Sequence, residues 1–230
     1  MLLDSDIIFQ NPVELICEKL YNVTILYSEK RKGHMANNNT KFRVSFNSPV
    51  ILSFTILCFL AMLLSYATNG RSNAMVFSVY RSSFLDPMTY VRFLGHIVGH
   101  AGWEHLFGNI MLILVVGPLL EEKYGSANLL FVIIITALAT GAVHFALFPR
   151  VMLLGASGVV FALILLSSFT CVGEGEIPLT FILVAVIYIG QQVYQGLFVQ
   201  DNISNLTHIL GGLVGAGLGF IMNRNKISRY

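Results

Sequence analysis

Leu154-Gly155-Ala156-Ser157-Gly158-Val159-Val160-Phe161-Ala162-Leu163-Ile164-Leu165-Leu166 decides how this chain is read. A serine between glycines opens an apolar run of membrane-spanning character. In that position a hydroxyl is costly unless something uses it, because polar groups in a lipid-embedded segment must find partners. A second run of the same kind, Leu206-Thr207-His208-Ile209-Leu210-Gly211-Gly212, opens with a histidine. The two residues could supply a nucleophile and a base, both placed inside a bilayer.

Composition fixes the class. The chain has 230 residues, 55% of them hydrophobic and 11% charged. Soluble domains carry about 25% charged residues. The apolar residues fall into blocks near the ~20 residues that a helix needs to cross a bilayer. An all-α polytopic membrane protein follows. Spans are expected at about 49–67, 104–122, 127–147, 155–172, 177–197 and 204–222. The segment 68–103 carries Arg71, Arg81, Arg92 and Trp103, and is read as lying partly embedded at the interface. Residues 1–48 read as a tail, with a short amphipathic helix over Val13, Ile16, Cys17 and Leu20 behind Pro12. Residues 223–230 form a basic C-terminal tail.

Basic residues orient the spans. Lys19, Lys30, Arg31, Lys32, Lys41, Arg43, Lys123, Arg224, Lys226 and Arg229 fall on one side if six spans are counted, which is ten of the fourteen. That side is expected to be cytoplasmic, with both termini. The formal charge of +2 gives no reason to expect a nucleic-acid partner. Cys17, Cys58 and Cys171 suggest neither a disulfide framework nor a metal cluster. Met1-Leu2-Leu3-Asp4-Ser5-Asp6 lacks a basic n-region, so no cleavable signal peptide is expected.

With both ends inside, the second, fourth and sixth spans all meet the outer side at their polar starts. There the second span offers His100-Ala101-Gly102-Trp103-Glu104-His105-Leu106-Phe107-Gly108-Asn109, in which His105 and Asn109 share a helix face. They are candidates for stabilising an oxyanion formed at Ser157. Gly211, Gly212, Gly215 and Gly219 would let the His208 helix approach a neighbour closely. Other readings stand beside these. The serine could bond a carbonyl of its own helix, the glycines could be a plain packing face, and His96, His100 and His105 could hold a metal. His-lined spans also suit a transporter, although such groups would then favour the midplane. Glu121, Glu122 and Lys123 read as a solvated helix end, and His34 and His144 are left unassigned.

These motifs together resemble the rhomboid intramembrane serine proteases of the basic six-helix bacterial type, over about 49–222. Gly155-Ala156-Ser157-Gly158 is similar to the family's Gly-x-Ser-Gly, and His100, His105 and Asn109 to its His-x4-His-x3-Asn. Glu122-Lys123-Tyr124-Gly125-Ser126 looks like its Glu-x-x-Gly-Ser, and His208 with Gly211 and Gly215 like its His-x-x-Gly-x-x-x-Gly. The resemblance implies a six-helix rhomboid-like bundle and a Ser157–His208 dyad that needs no Asp. It implies an oxyanion site at His105 and Asn109, with His100 in support, and no cofactor or metal. It further implies substrates among single-span or polytopic membrane proteins, cut near the outer face, and a bacterial plasma membrane as location. A silent rhomboid-like protein that binds membrane clients is the alternative. Arg92 matches the arginine of the family's Trp-Arg pair, whereas Val91 stands in place of its Trp, and Phe161 in place of a Tyr found in some members.

Overall fold

The computed structural model describes residues 46–169 and 202–227, with side chains of the last helix over 205–223, and single helical residues at 179, 182, 183, 186, 187 and 190. The expected tail helix and most of the expected fifth span lie outside the described residues. Within them the chain is helical: α1 Pro49–Ala67, α2 Arg71–Met75, α3 Pro87–Gly95, α4 Trp103–Tyr124, α5 Ser126–Leu147, α6 Ser157–Ser168 and α7 Asn202–Ile227. Four of these are long and apolar enough to cross a membrane: α1, α4, α5 and, over Asn205–Asn223, α7. The chain is an integral, multi-pass membrane protein. α6 has 12 residues and is buried on most of its surface, including Val159, Val160, Ala162, Leu163, Leu165 and Leu166. At 1.5 Å per residue its described length rises about 18 Å.

Local signals explain most boundaries. Pro49 opens α1 and Pro87 opens α3, where a missing N–H costs nothing. Asp86 caps α3 by accepting from the Met88 N–H at 3.0 Å. Gly125, at φ +84°, ends α4 and starts α5 in one left-handed residue. α1 has no cap of its own, because Ser48 makes no capping hydrogen bond. Glu121, on α4, supplies it instead. Its carboxylate accepts from the N–H of Val50 at 2.9 Å and of Ile51 at 3.0 Å, and from the Ser126 hydroxyl at 2.7 Å.

Two expectations are corrected here. Glu121 is buried rather than solvated, although Glu122 and Lys123 are exposed as expected. The glutamate that reaches Ser126 is Glu121, five residues before it, and not Glu122. A helix end carrying unpaired N–H donors draws the carboxylate that lies nearest its axis.

Large side chains from α1, α4, α5 and α6 meet in one core around Ile51, Leu106, Ile113, Leu120, Leu129 and Leu163. α7 packs chiefly on α6. The glycine ladder makes that contact: a Cβ on Gly211 would overlap the Gly158 carbonyl oxygen, and one on Gly215 the Ala162 oxygen. Replacing Gly211 by Ala should therefore push α7 off α6. Overpacking costs about 1–3 kcal/mol. We expect a lowered unfolding midpoint in Gly211→Ala. Gly217 has open space around its Cα, so Gly217→Ala is the matched control.

Candidate active site

The segment between α1 and α4 builds one wall of the site. Arg92 is buried, donating to the Met75 carbonyl at 2.9 Å and pairing with Asp86 at 3.1 Å, its guanidinium 4.6 Å above the Tyr80 ring. Val91, by contrast, is exposed. Val79 and Leu153 exchange two backbone hydrogen bonds, of 2.9 and 3.0 Å, in an isolated antiparallel bridge. The Gly155 N–H donates to the His96 carbonyl at 2.8 Å. The segment between α1 and α4 thereby holds the loop that leads into Ser157.

Ser157 is the first residue of α6 and half-buried. Gly155, two residues earlier, has φ +135°, and a Cβ there would lie 2.7 Å from the His105 ring. Only glycine serves at that point, both for its backbone angle and for the closeness of the imidazole. The N–H groups of the first turn of α6 have no acceptor within the helix. They concentrate positive potential beside the Ser157 hydroxyl.

α7 brings His208 to the same place. Its ring packs against Phe161, one turn after Ser157, with centroids 4.7 Å apart. The Thr207 carbonyl oxygen, adjoining His208, lies 3.7 Å from where a Gly158 Cβ would stand. His105 makes an edge contact with His100, centroids 5.1 Å apart. Asn109, one turn further along α4, is buried, and its Nδ2 has no hydrogen-bond partner among the described residues. The polar residues singled out in the sequence thus come from α4, α6 and α7 to one end of the bundle.

His96 and His100 lie between α1 and α4, and among the described residues they do not form a metal-ligating cluster with His105. His100 Nδ1 sits 3.1 Å from the Val98 carbonyl, and His96 Nε2 sits 3.3 Å from the Thr140 hydroxyl. Burial pushes both histidines down from 6.5 to about 4; the carbonyls that their Nδ1 atoms meet offset this only in part. Below pH ~6.5 the unfolded chain takes up protons that the folded chain refuses until about pH 4. Stability is therefore complete above pH ~6.5 and falls as pH drops through the window from 6.5 to 4, on the order of 3 kcal/mol per histidine at the limit. Unfolding midpoints in detergent should fall across that window, and His96→Gln should flatten the decline.

Two residues of this region carried no sequence signal. His144 is fully buried, stacks on Phe148, and its Nε2 lies 2.9 Å from the Val151 carbonyl. Thr140 bonds the Thr136 carbonyl at 2.7 Å and faces His96. His144 is left unassigned by the sequence, and Thr140 reads as an ordinary member of an apolar span until α5 is packed against the segment between α1 and α4. The histidine could have been flagged by its rarity in spans.

The Rhomboid domain family model matches residues 87–225. Rhomboid-related protein 1 of Caenorhabditis elegans is 28% identical over 145 residues, 59% of this chain and 41% of that protein. Rhomboid protease GluP of Bacillus subtilis is 25% identical over 215 residues, 90% of this chain and 40% of that protein. Rhomboid-related protein 2 of Mus musculus is 28% identical over 159 residues, 59% of this chain and 51% of that protein. The chain spans roughly 40–51% of the length of these relatives. The matched region runs from the start of α3 into α7 and takes in more than half of the 230 residues, so the chain belongs to the rhomboid family.

Proposed function

We propose that the protein is an intramembrane serine endopeptidase that cleaves membrane-spanning segments of other proteins. The observation that carries this reading is the close packing of α7 on α6 at Gly211 and Gly158. It sets His208 beside the turn that bears Ser157, while His105 lies against Gly155.

In the proposed reaction a substrate helix unwinds at the polar end of the bundle. The Ser157 Oγ attacks the scissile carbonyl carbon while His208 accepts the hydroxyl proton. Negative charge gathers on the former carbonyl oxygen, where His105, Asn109 and the first-turn N–H groups of α6 can donate to it. The C–N bond then breaks and His208 returns the proton to the leaving amine. Water, deprotonated by His208, attacks the acyl ester and frees Ser157. His100 supports the His105 ring. The polar end faces the outer side of the membrane and both termini the cytoplasm, by the distribution of basic residues, in a bacterial plasma membrane.

The test is twofold. Purified protein in liposomes is offered a single-span substrate, and a fluorophosphonate probe is used to trap an active serine. Cleavage, with the adduct on Ser157, is expected. An intact substrate and an unlabelled serine would sink the protease reading, and retention of the uncut substrate would point to a client-binding protein.

A further inference from the structure

One face of α1 is left largely uncovered by the bundle: Leu57, Leu60 and Leu64 are exposed, although Ala61 between them is buried. Leu57, Leu60, Ala61, Leu64, Ala67 and Thr68 recur at three- and four-residue steps and so line one stripe. Against it the outer segment leaves two hollows that meet at Leu64. The first, about 170 Å³, is walled by Leu57, Leu60, Ala61, Leu64, Phe77 and Val98, all apolar. The second, about 510 Å³, continues past Ala67 to Asn69, Arg71 and Met75. From Leu57 to Ala67 the helix rises about 15 Å. That is half of a ~30 Å hydrocarbon core, the depth of one leaflet. The hollow is greasy along one acyl chain's depth and turns polar where headgroups begin.

Arg71 stands at that boundary. It is exposed and has no carboxylate partner among the described residues. Its backbone is held in place. Gly70 closes the end of α1 through its N–H to the Ser65 carbonyl at 2.8 Å. Asn73 Nδ2 donates to the His100 carbonyl at 2.9 Å, and Arg92 Nε donates to the Met75 carbonyl at 2.9 Å. A guanidinium on a fixed turn is suited to two parallel hydrogen bonds with a phosphate.

We propose that this surface is a phospholipid site, with one acyl chain along the stripe from Leu57 to Ala67 and the phosphodiester on Arg71. Charge complementarity and the one-leaflet spacing between groove and cation select this occupant. The site stands apart from Ser157 and does not depend on catalysis.

Native mass spectrometry of the full chain tests it, with detergent micelles supplied with phosphatidylglycerol or with diacylglycerol of the same acyl chains. The parent should retain one phosphatidylglycerol at least tenfold better than diacylglycerol. Arg71→Gln should bring phosphatidylglycerol down to the diacylglycerol level. Leu57→Trp, which fills the groove from an exposed position, should reduce both. Phosphatidylglycerol kept equally by parent and Arg71→Gln overturns the headgroup assignment. Lipid unaffected by Leu57→Trp overturns the groove, and a lipid-free dimer assigns the face to a second copy instead. Arg71 is on the surface, so its variant decides the matter even if Leu57→Trp fails to fold.

Discussion

Ser157→Ala and His208→Ala should each lower cleavage by ~10⁶-fold, to below detection, and the double variant should be no worse than either. The expectation follows from the two residues acting as a unit. Without the hydroxyl there is no acyl-enzyme, and without the imidazole the hydroxyl keeps its proton. Additive losses would mean that the two act separately, and cleavage that survives Ser157→Ala would remove the proposed nucleophile altogether. Asn109→Ala should retain the fold and lose ~10²–10³ in rate. Its buried Nδ2 lacks a hydrogen-bond partner among the described residues and is thus free to donate to a developing charge. Comparable unfolding midpoints for the Asn109 variant and its parent would separate chemistry from folding.

Glu121→Ala should be the most destabilising single substitution in the bundle. The carboxylate is only 4% exposed and accepts three hydrogen bonds, from the Val50 and Ile51 N–H groups and the Ser126 hydroxyl. Hydrogen bonds to a charged group contribute about 1.5–3 kcal/mol each, and donors left unpaired in a buried place add to the loss. A fall of about 4 kcal/mol in unfolding free energy is expected, at the upper end for point changes. Glu121→Gln keeps an acceptor oxygen and should recover part of it. Glu122→Ala, on the exposed neighbour, should change little. Denaturant titration of the three variants in mixed micelles checks the order, and equal losses at 121 and 122 would contradict it.

Much of the bundle could be read in advance. The spans expected at 49–67, 104–122, 127–147 and 204–222 match α1, α4, α5 and α7 to within a few residues. In lipid every backbone polar group must be bonded within its own helix, so an apolar block of ~20 residues has hardly another fate. Of the span expected at 155–172, the described residues form a helix over Ser157–Ser168, and residues 170–172 lie outside the described residues. Hydropathy sees the apolar run but cannot see that its neighbours, rather than lipid, surround it.

The site divides in the same way. Ser157, His208, His105 and Asn109 stood out because polar groups are expensive in spans and these sit near span ends at comparable depth, whereas His100 entered the site only through the family resemblance. Their approach to one another was not readable. It depends on Gly158 and Gly211 meeting backbone to backbone, and on a positive-φ glycine at 155 lying against His105. Glu121 shows the converse error. Beside Glu122 and Lys123 it looks like one more solvated charge, and only the packing of α4 on α1 turns it into a cap.

By itself, then, the sequence determined what must be local: a membrane class, the helices and the residues whose polarity needs a reason. The tertiary structure alone decided which of those residues meet, that Glu121 closes α1, and that His144 is turned toward the loop before Ser157 and Thr140 toward His96. Hydrophobic length and turn chemistry act within a segment. Caps, glycine crossings and hydrogen bonds between helices join residues as far as 99 positions apart, and only three-dimensional packing selects such partners.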